Sequence, residues 1–158
     1  GGDRDSTLKL FEPSDFVLGK LSRYDSLFSG RACSIHVRRG DYLKFKDIHP
    51  SVDRDYLGKA IGLLRHHGIK RFLVFSDDME WCKQNLRGSW YVFIENEKDY
   101  VEMFLMSKCD YRIIANSSFS WWGSYLSKKG GETVAPLRWF GVDNIDSSHI
   151  LPWYWKAL

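Results

Sequence analysis

The sequence predicts an α/β protein built as a doubly wound, Rossmann-like parallel sheet, and three observations predict it. Short apolar runs rich in β-branched and aromatic residues recur along the chain, stretches of helical spacing separate them, and polar residues follow the runs at once. Strands alternating with helices call for parallel pairing, because right-handed crossovers lay the helices on both faces of the sheet.

Glu12-Pro13-Ser14-Asp15 opens a helix, with Phe16, Val17, Leu18, Leu21 and Tyr24 at helical spacing up to Leu27 and Phe28, before Ser29-Gly30 ends it. Ala32-Cys33-Ser34-Ile35-His36-Val37 is the first strand, halted by Arg38-Arg39-Gly40-Asp41, and a loop of mixed polarity runs on to Ser51. From Asp53 to His67, Tyr56, Leu57, Ala60, Ile61, Leu63 and Leu64 mark an amphipathic helix with Gly68 as its C-cap. Arg71 to Ser76 is the second strand. Asp77-Asp78 opens a short helix through Trp81, Cys82 and Leu86; Trp90 to Ile94 is the third strand, and Glu97 to Lys108 is helical. Tyr111 to Ala115 is the fourth strand. Asn116-Ser117-Ser118 then caps a helix through Trp122, Tyr125 and Leu126, closed by Gly130-Gly131, and Thr133 to Pro136 is the fifth strand.

At 158 residues the chain holds one domain, with residues 1–30 a helical lead-in and 137–158 an aromatic-rich tail. A hydrophobic content of 44% excludes the disordered and fibrous classes. The formal charge of +3 is spread along the chain, which argues against a nucleic-acid surface and leaves room for a local anion site. Cys33, Cys82 and Cys109 sit apart in or beside apolar runs, without CxxC spacing, and read as buried free thiols. No apolar stretch reaches the ~20 residues of a membrane helix, and the N-terminus lacks a signal-peptide layout.

In such sheets ligands bind outside the carboxyl ends of the strands. Period-two alternation puts His36 and Arg38 on one side of the first strand and Val37 and Arg39 on the other. An arginine there presents a rigid fork suited to two phosphate oxygens, and Gly40 lets the backbone approach; a surface ion-pair cluster with Asp41 explains the same residues. Arg39-Gly40-Asp41 is also an adhesion tripeptide. Ser76-Asp77-Asp78 offers carboxylates to a guanine edge or a ribose, or caps the next helix. Asn116-Ser117-Ser118-Phe119-Ser120 offers hydroxyls and amides at a helix N-terminus, where the dipole favours an anion, and capping explains it equally. Asn116-Ser117-Ser118 fits the N-glycosylation pattern too, at an unsuitable place between strand and helix. Trp121-Trp122 reads as helix packing. Trp139, Phe140 and Trp153-Tyr154-Trp155 either stack on a ligand or lie across the core. His36, His49, His66, His67 and His149 lack metal-site spacing, and Asp77-Asp78 is no DxD triplet, so the expected site is metal-independent.

In order along the chain, His36 to Tyr42 (HVRRGDY), Phe75 to Asp78 (FSDD) and Ala115 to Trp122 (ANSSFSWW) closely resemble the α-1,2-fucosyltransferase family, and Asp99 to Cys109 resembles its segment before the Asn-Ser motif. The resemblance covers roughly Cys33 to Pro136. It implies an inverting, metal-independent transferase of the two-Rossmann-domain GT-B type, whose C-terminal domain holds GDP-fucose while a glycan acceptor receives the sugar. By this resemblance Arg38 stabilises the leaving pyrophosphate, His36 and Asp77 or Asp78 lie near guanine, Ser117, Ser118, Phe119 and Ser120 line the phosphates, and Asp41, Ser76 and Asn116 complete the substrate-binding set. GDP-fucose is then a substrate, with no cofactor besides. The family's glycine-rich N-terminal segment has no match here, so the chain resembles the second half, and a general base is not assigned. A non-catalytic nucleotide- or glycan-binding module remains the alternative. The expected compartment is the cytoplasm, or the Golgi lumen for a eukaryotic type II enzyme.

Overall fold

Every residue of the first strand, Ala32–Val37 (β1), is buried, because β1 sits in the middle of a sheet covered on both faces. The computed structural model describes residues 2–40, 52–137, 139 and 149–158. The sheet has six strands in the order β3-β2-β1-β4-β5-β6, all paired in parallel: Arg71–Ser76 (β2), Tyr91–Phe93 (β3), Tyr111–Ile113 (β4), Thr133–Ala135 (β5) and Lys156–Ala157 (β6). The expected doubly wound sheet is the observed one.

Side chains of β1 alternate between two cores, as pleating requires. Cys33, Ile35 and Val37 pack with Phe72 and Val74 of β2 against Leu57, Ala60, Ile61 and Leu64 of helix α3 (Arg54–Leu64) and Cys82 of α4 (Met79–Asn85). On the other face Ala32, Leu73 and Phe75 pack against Leu21 of α2 (Asp15–Leu21) and Val101, Leu105 and Met106 of α5 (Asp99–Lys108). Burying each such aliphatic side chain contributes about 1.5–3 kcal/mol. All three cysteines are buried and free, as expected, and burial pushes the Cys109 thiol up to about 12.

The sequence misses two elements. Helix α1 (Gly2–Leu10) carries no apolar stripe, and β6 is two exposed residues held only by backbone bonds, Leu137 N to Leu158 O (2.7 Å) and Leu158 N to Ala135 O (3.0 Å). The expected first helix is two pieces, α2 with Ser14 as its N-cap and a 3₁₀ segment over Ser22–Phe28. Gly68 at φ 69° closes the segment after α3 in the left-handed conformation its C-cap role requires. The loop after Gly40 lies outside the described residues.

The strand order positions the site. From β1 the chain winds outward through β2 and β3, then crosses back to lay β4 on the other side of β1. The turn in winding direction opens a crevice between the carboxyl ends of β1 and β4. Tyr56 of α3 braces the far wall, its hydroxyl 2.7 Å from the Ile114 carbonyl and 3.1 Å from that of Val134.

Candidate functional site

Three polar segments meet at this carboxyl edge, and two contacts join them. The first joins β1 to the segment after β2. Asp77 accepts hydrogen bonds from the backbone amides of Arg39 (2.8 Å) and Gly40 (2.7 Å), and its Oδ2 lies 3.6 Å from Arg38 Nε. A side chain on Gly40 would place its Cβ 2.6 Å from Asp77 Oδ2, so the close approach needs glycine here. Asp78 accepts from Trp81 N (3.2 Å) as the cap of α4 and faces Arg39 Nε at 3.5 Å. Ser76 donates its hydroxyl proton to the Val37 carbonyl (2.7 Å) and accepts from Asp78 N (2.9 Å).

The alternation expected beyond β1 holds. Arg39 turns toward α4, its guanidinium carbon 4.2 Å from the centre of the Trp81 ring, an attraction between cation and ring face. Its side chain is only 17% exposed, so the arginine of the adhesion tripeptide is directed into the protein. Arg38, 37% exposed, stands at the carboxyl edge of the sheet beside Asp77. Asp41 lies outside the described residues.

The second contact joins β1 to the start of α6 (Ser118–Tyr125). The His36 ring, on the face opposite Arg39, lies 5.3 Å from that of Phe119. His36 is 5% exposed, and its Nδ1 has no hydrogen-bond partner among the described residues. Burial, helped by the charge of Arg38 and opposed by Asp77, pushes its pKa down to about 4, so the ring is neutral at physiological pH.

Asn116 is buried and donates from Nδ2 to the Trp139 carbonyl (3.0 Å), which occupies the amide that glycosylation would require. Ser117 is the N-cap residue of α6 but makes no side-chain capping bond. Ser118 is exposed. Ser120 is fully buried, its hydroxyl directed at the carbonyls of Ala115 (3.2 Å) and Ser117 (3.4 Å), so it fastens the strand-to-helix turn. The turn thus presents the first amides of α6 at the crevice, where the helix dipole favours an anion.

Sequence reasoning missed Trp81 and the Trp139 carbonyl as supports of this edge, because neither contact follows from local spacing. Trp121 and Trp155 pack as core, with ring centres 5.7 Å apart, and Trp121 Nε1 donates to Ile150 O (2.7 Å). Trp153 is 93% exposed.

The sequence model of Glycosyl transferase family 11 matches residues 18–154. The chain belongs to Glycosyl transferase family 11. An Escherichia coli α-1,2-colitosyltransferase is 35% identical over 165 aligned positions, covering 98% of this chain and 57% of the relative. The E. coli O-antigen biosynthesis glycosyltransferase WbnK is 36% identical over 155 positions, covering 89% and 51%. A rat galactoside α-(1,2)-fucosyltransferase 2 is 34% identical over 115 positions, covering 63% and 30%. The chain thus spans about half the length of these two bacterial relatives. Among solved structures, POFUT1 in complex with GDP superposes with a TM-score of 0.59 at 11% identity, over 77% of this chain and 48% of that one. POFUT1 with GDP-fucose gives 0.55 at 12% identity, over 77% and 47%. At such identity the likeness is one of fold.

Proposed function

We propose that this family 11 chain is the donor-binding domain of an inverting, metal-independent glycosyltransferase that moves fucose from GDP-fucose to a sugar hydroxyl in α-1,2 linkage. The observation that carries the reading is the convergence of Arg38, His36 and the α6 N-terminus on one crevice, joined through Asp77 and Phe119. The α-1,2 linkage appears in the names of relatives that transfer two different sugars, colitose and fucose. Fucose is supported further by the galactoside relatives.

In the proposed mechanism the departing GDP develops negative charge on its phosphates as the sugar becomes oxocarbenium-like. Arg38 and the α6 amides stabilise that charge; removing one such contact typically costs about 3 kcal/mol of transition-state stabilisation. Asp77 fixes the backbone from which Arg38 projects, so the fork is positioned before the donor arrives. Neutral His36, packed against Phe119, shapes the wall toward the base.

The test is transfer from GDP-fucose to a galactoside acceptor in a chelating buffer, with the product's anomeric configuration read by NMR. An α-1,2 product of configuration opposite to the donor's supports the reading. A retained configuration, or activity that the chelator abolishes, contradicts it. GDP binding without transfer favours a non-catalytic module.

A further inference from the structure

We propose that the protein carries a second anion site, on the edge of the sheet opposite the donor crevice, for a small ligand bearing a phosphoryl group. The segment between α6 and β5 precedes β5 and so runs along the amino-terminal edge. There Arg4, Arg112, Ser124, Lys129, Tyr154 and Trp155 line an open cavity of about 280 Å³.

Its lining holds three cationic side chains and no carboxylate. Arg112, in β4, is 2% exposed, and its guanidinium donates to Thr133 Oγ1 (2.9 Å), Cys109 O (2.6 Å), Ser127 Oγ (2.8 Å) and Gly131 O (2.7 Å), all neutral acceptors. Gly131 reaches this position because it passes against β4; a Cβ there would meet the Asp110 carbonyl at 1.9 Å. Arg4 donates from Nη2 to Tyr125 O (3.2 Å) and Ser127 O (2.8 Å), while its Nε is buried without a partner among the described residues. No carboxylate among the described residues lies within ion-pair distance of Arg4, Arg112 or Lys129. Asp110 attracts Arg112 from beyond ion-pair distance while accepting from Ala32 N (3.0 Å), Asp3 and Asp5 beside Arg4 are exposed, and Glu132 faces His67 at 3.9 Å.

The Arg4 and Arg112 guanidiniums repel each other across the cavity, and the acceptors around them are neutral. An oxyanion bound between them offsets that repulsion. A second, independent observation points the same way: Ser124, 4% exposed, is among the lining residues, and its buried Oγ has no partner among the described residues. The aromatic walls, Tyr154 and Trp155, suit a sugar ring beside the phosphoryl group. The volume is near the lower end of ligand pockets, about 300 Å³, which restricts the ligand to metabolite size.

The test follows indole N–H signals by NMR while the full chain is titrated, at constant ionic strength, with inorganic phosphate and with a hexose phosphate. Trp155 reports on this cavity, and Trp81, beneath Arg39, reports on the donor edge. The expected result is a saturable Trp155 shift that persists in Arg38→Ala and weakens about tenfold in Lys129→Ala and in Ser124→Ala. A hexose phosphate binding tighter than phosphate assigns the aromatic wall to the sugar; equal affinity confines the site to the phosphoryl group. A Trp155 signal that does not saturate by about 10 mM, or affinities unchanged in both variants, overturns the proposal. Neither result depends on the donor assignment.

Discussion

The imidazole of His36 at the end of β1 lies 5.3 Å from the ring of Phe119 in the first turn of α6, and this contact closes the space between the first and third sequence motifs. It also helps to bury His36, and burial is the first cause of its lowered pKa. Phe119→Ala should therefore raise the His36 pKa from about 4 toward its ordinary value of 6.5, as read by NMR titration of the ring protons. A value unmoved by the substitution would place the cause elsewhere.

A second consequence concerns stability against pH. The folded His36 takes its proton near 4 and the unfolded one near 6.5, so the unfolded chain binds more protons between these values. The contribution is whole above 6.5 and is lost as pH falls toward 4, by about 3 kcal/mol. Glu102 acts in the opposite sense: burial, then Asp99 and Glu97, push its carboxyl up to about 7 from 4.5, so its stabilising contribution disappears as pH rises through that window. Urea midpoints of wild type and His36→Gln, compared from pH 4 to 7, isolate the histidine, and the gap between them should narrow as the pH falls.

Asp77 holds the Arg38–Gly40 turn through two backbone amides, and its loss leaves both without their acceptor. Asp77→Ala should weaken GDP binding at least tenfold and lower stability by about 1–3 kcal/mol. Asp77→Asn, which keeps one acceptor oxygen, should fall between. Binding and denaturation measured on the same preparations check the order.

Arg112 makes four hydrogen bonds within the protein, so Arg112→Ala strands the carbonyls of Cys109 and Gly131 in a buried place. A loss of about 3 kcal/mol is expected from chemical denaturation. Asp25→Ala, which removes an exposed partner of Lys108, should change stability by less than about 0.5 kcal/mol.

The sheet was legible in the sequence where burial on both faces writes continuous apolar runs, as in Ile35, Val37, Leu73, Val74 and Phe75. It was illegible where pairing rests on backbone alone, as in Lys156–Ala157, and where a helix lacks an apolar stripe, as in Gly2–Leu10. For the site, motif order located the residues but not their partners. That Asp78 caps α4 was one of the two readings local spacing offered, whereas that Asp77 holds the Arg39 and Gly40 amides and that Asn116 reaches the Trp139 carbonyl depend on how distant segments meet, which spacing does not encode.

Calorimetric titration of the chain with GDP, and separately with UDP, in a chelating buffer tests the proposed donor crevice most directly. The account predicts saturable heat with GDP, much weaker heat with UDP, and loss of the GDP signal in Arg38→Ala. Equal binding of the two nucleotides, or GDP affinity unchanged in Arg38→Ala, would contradict it.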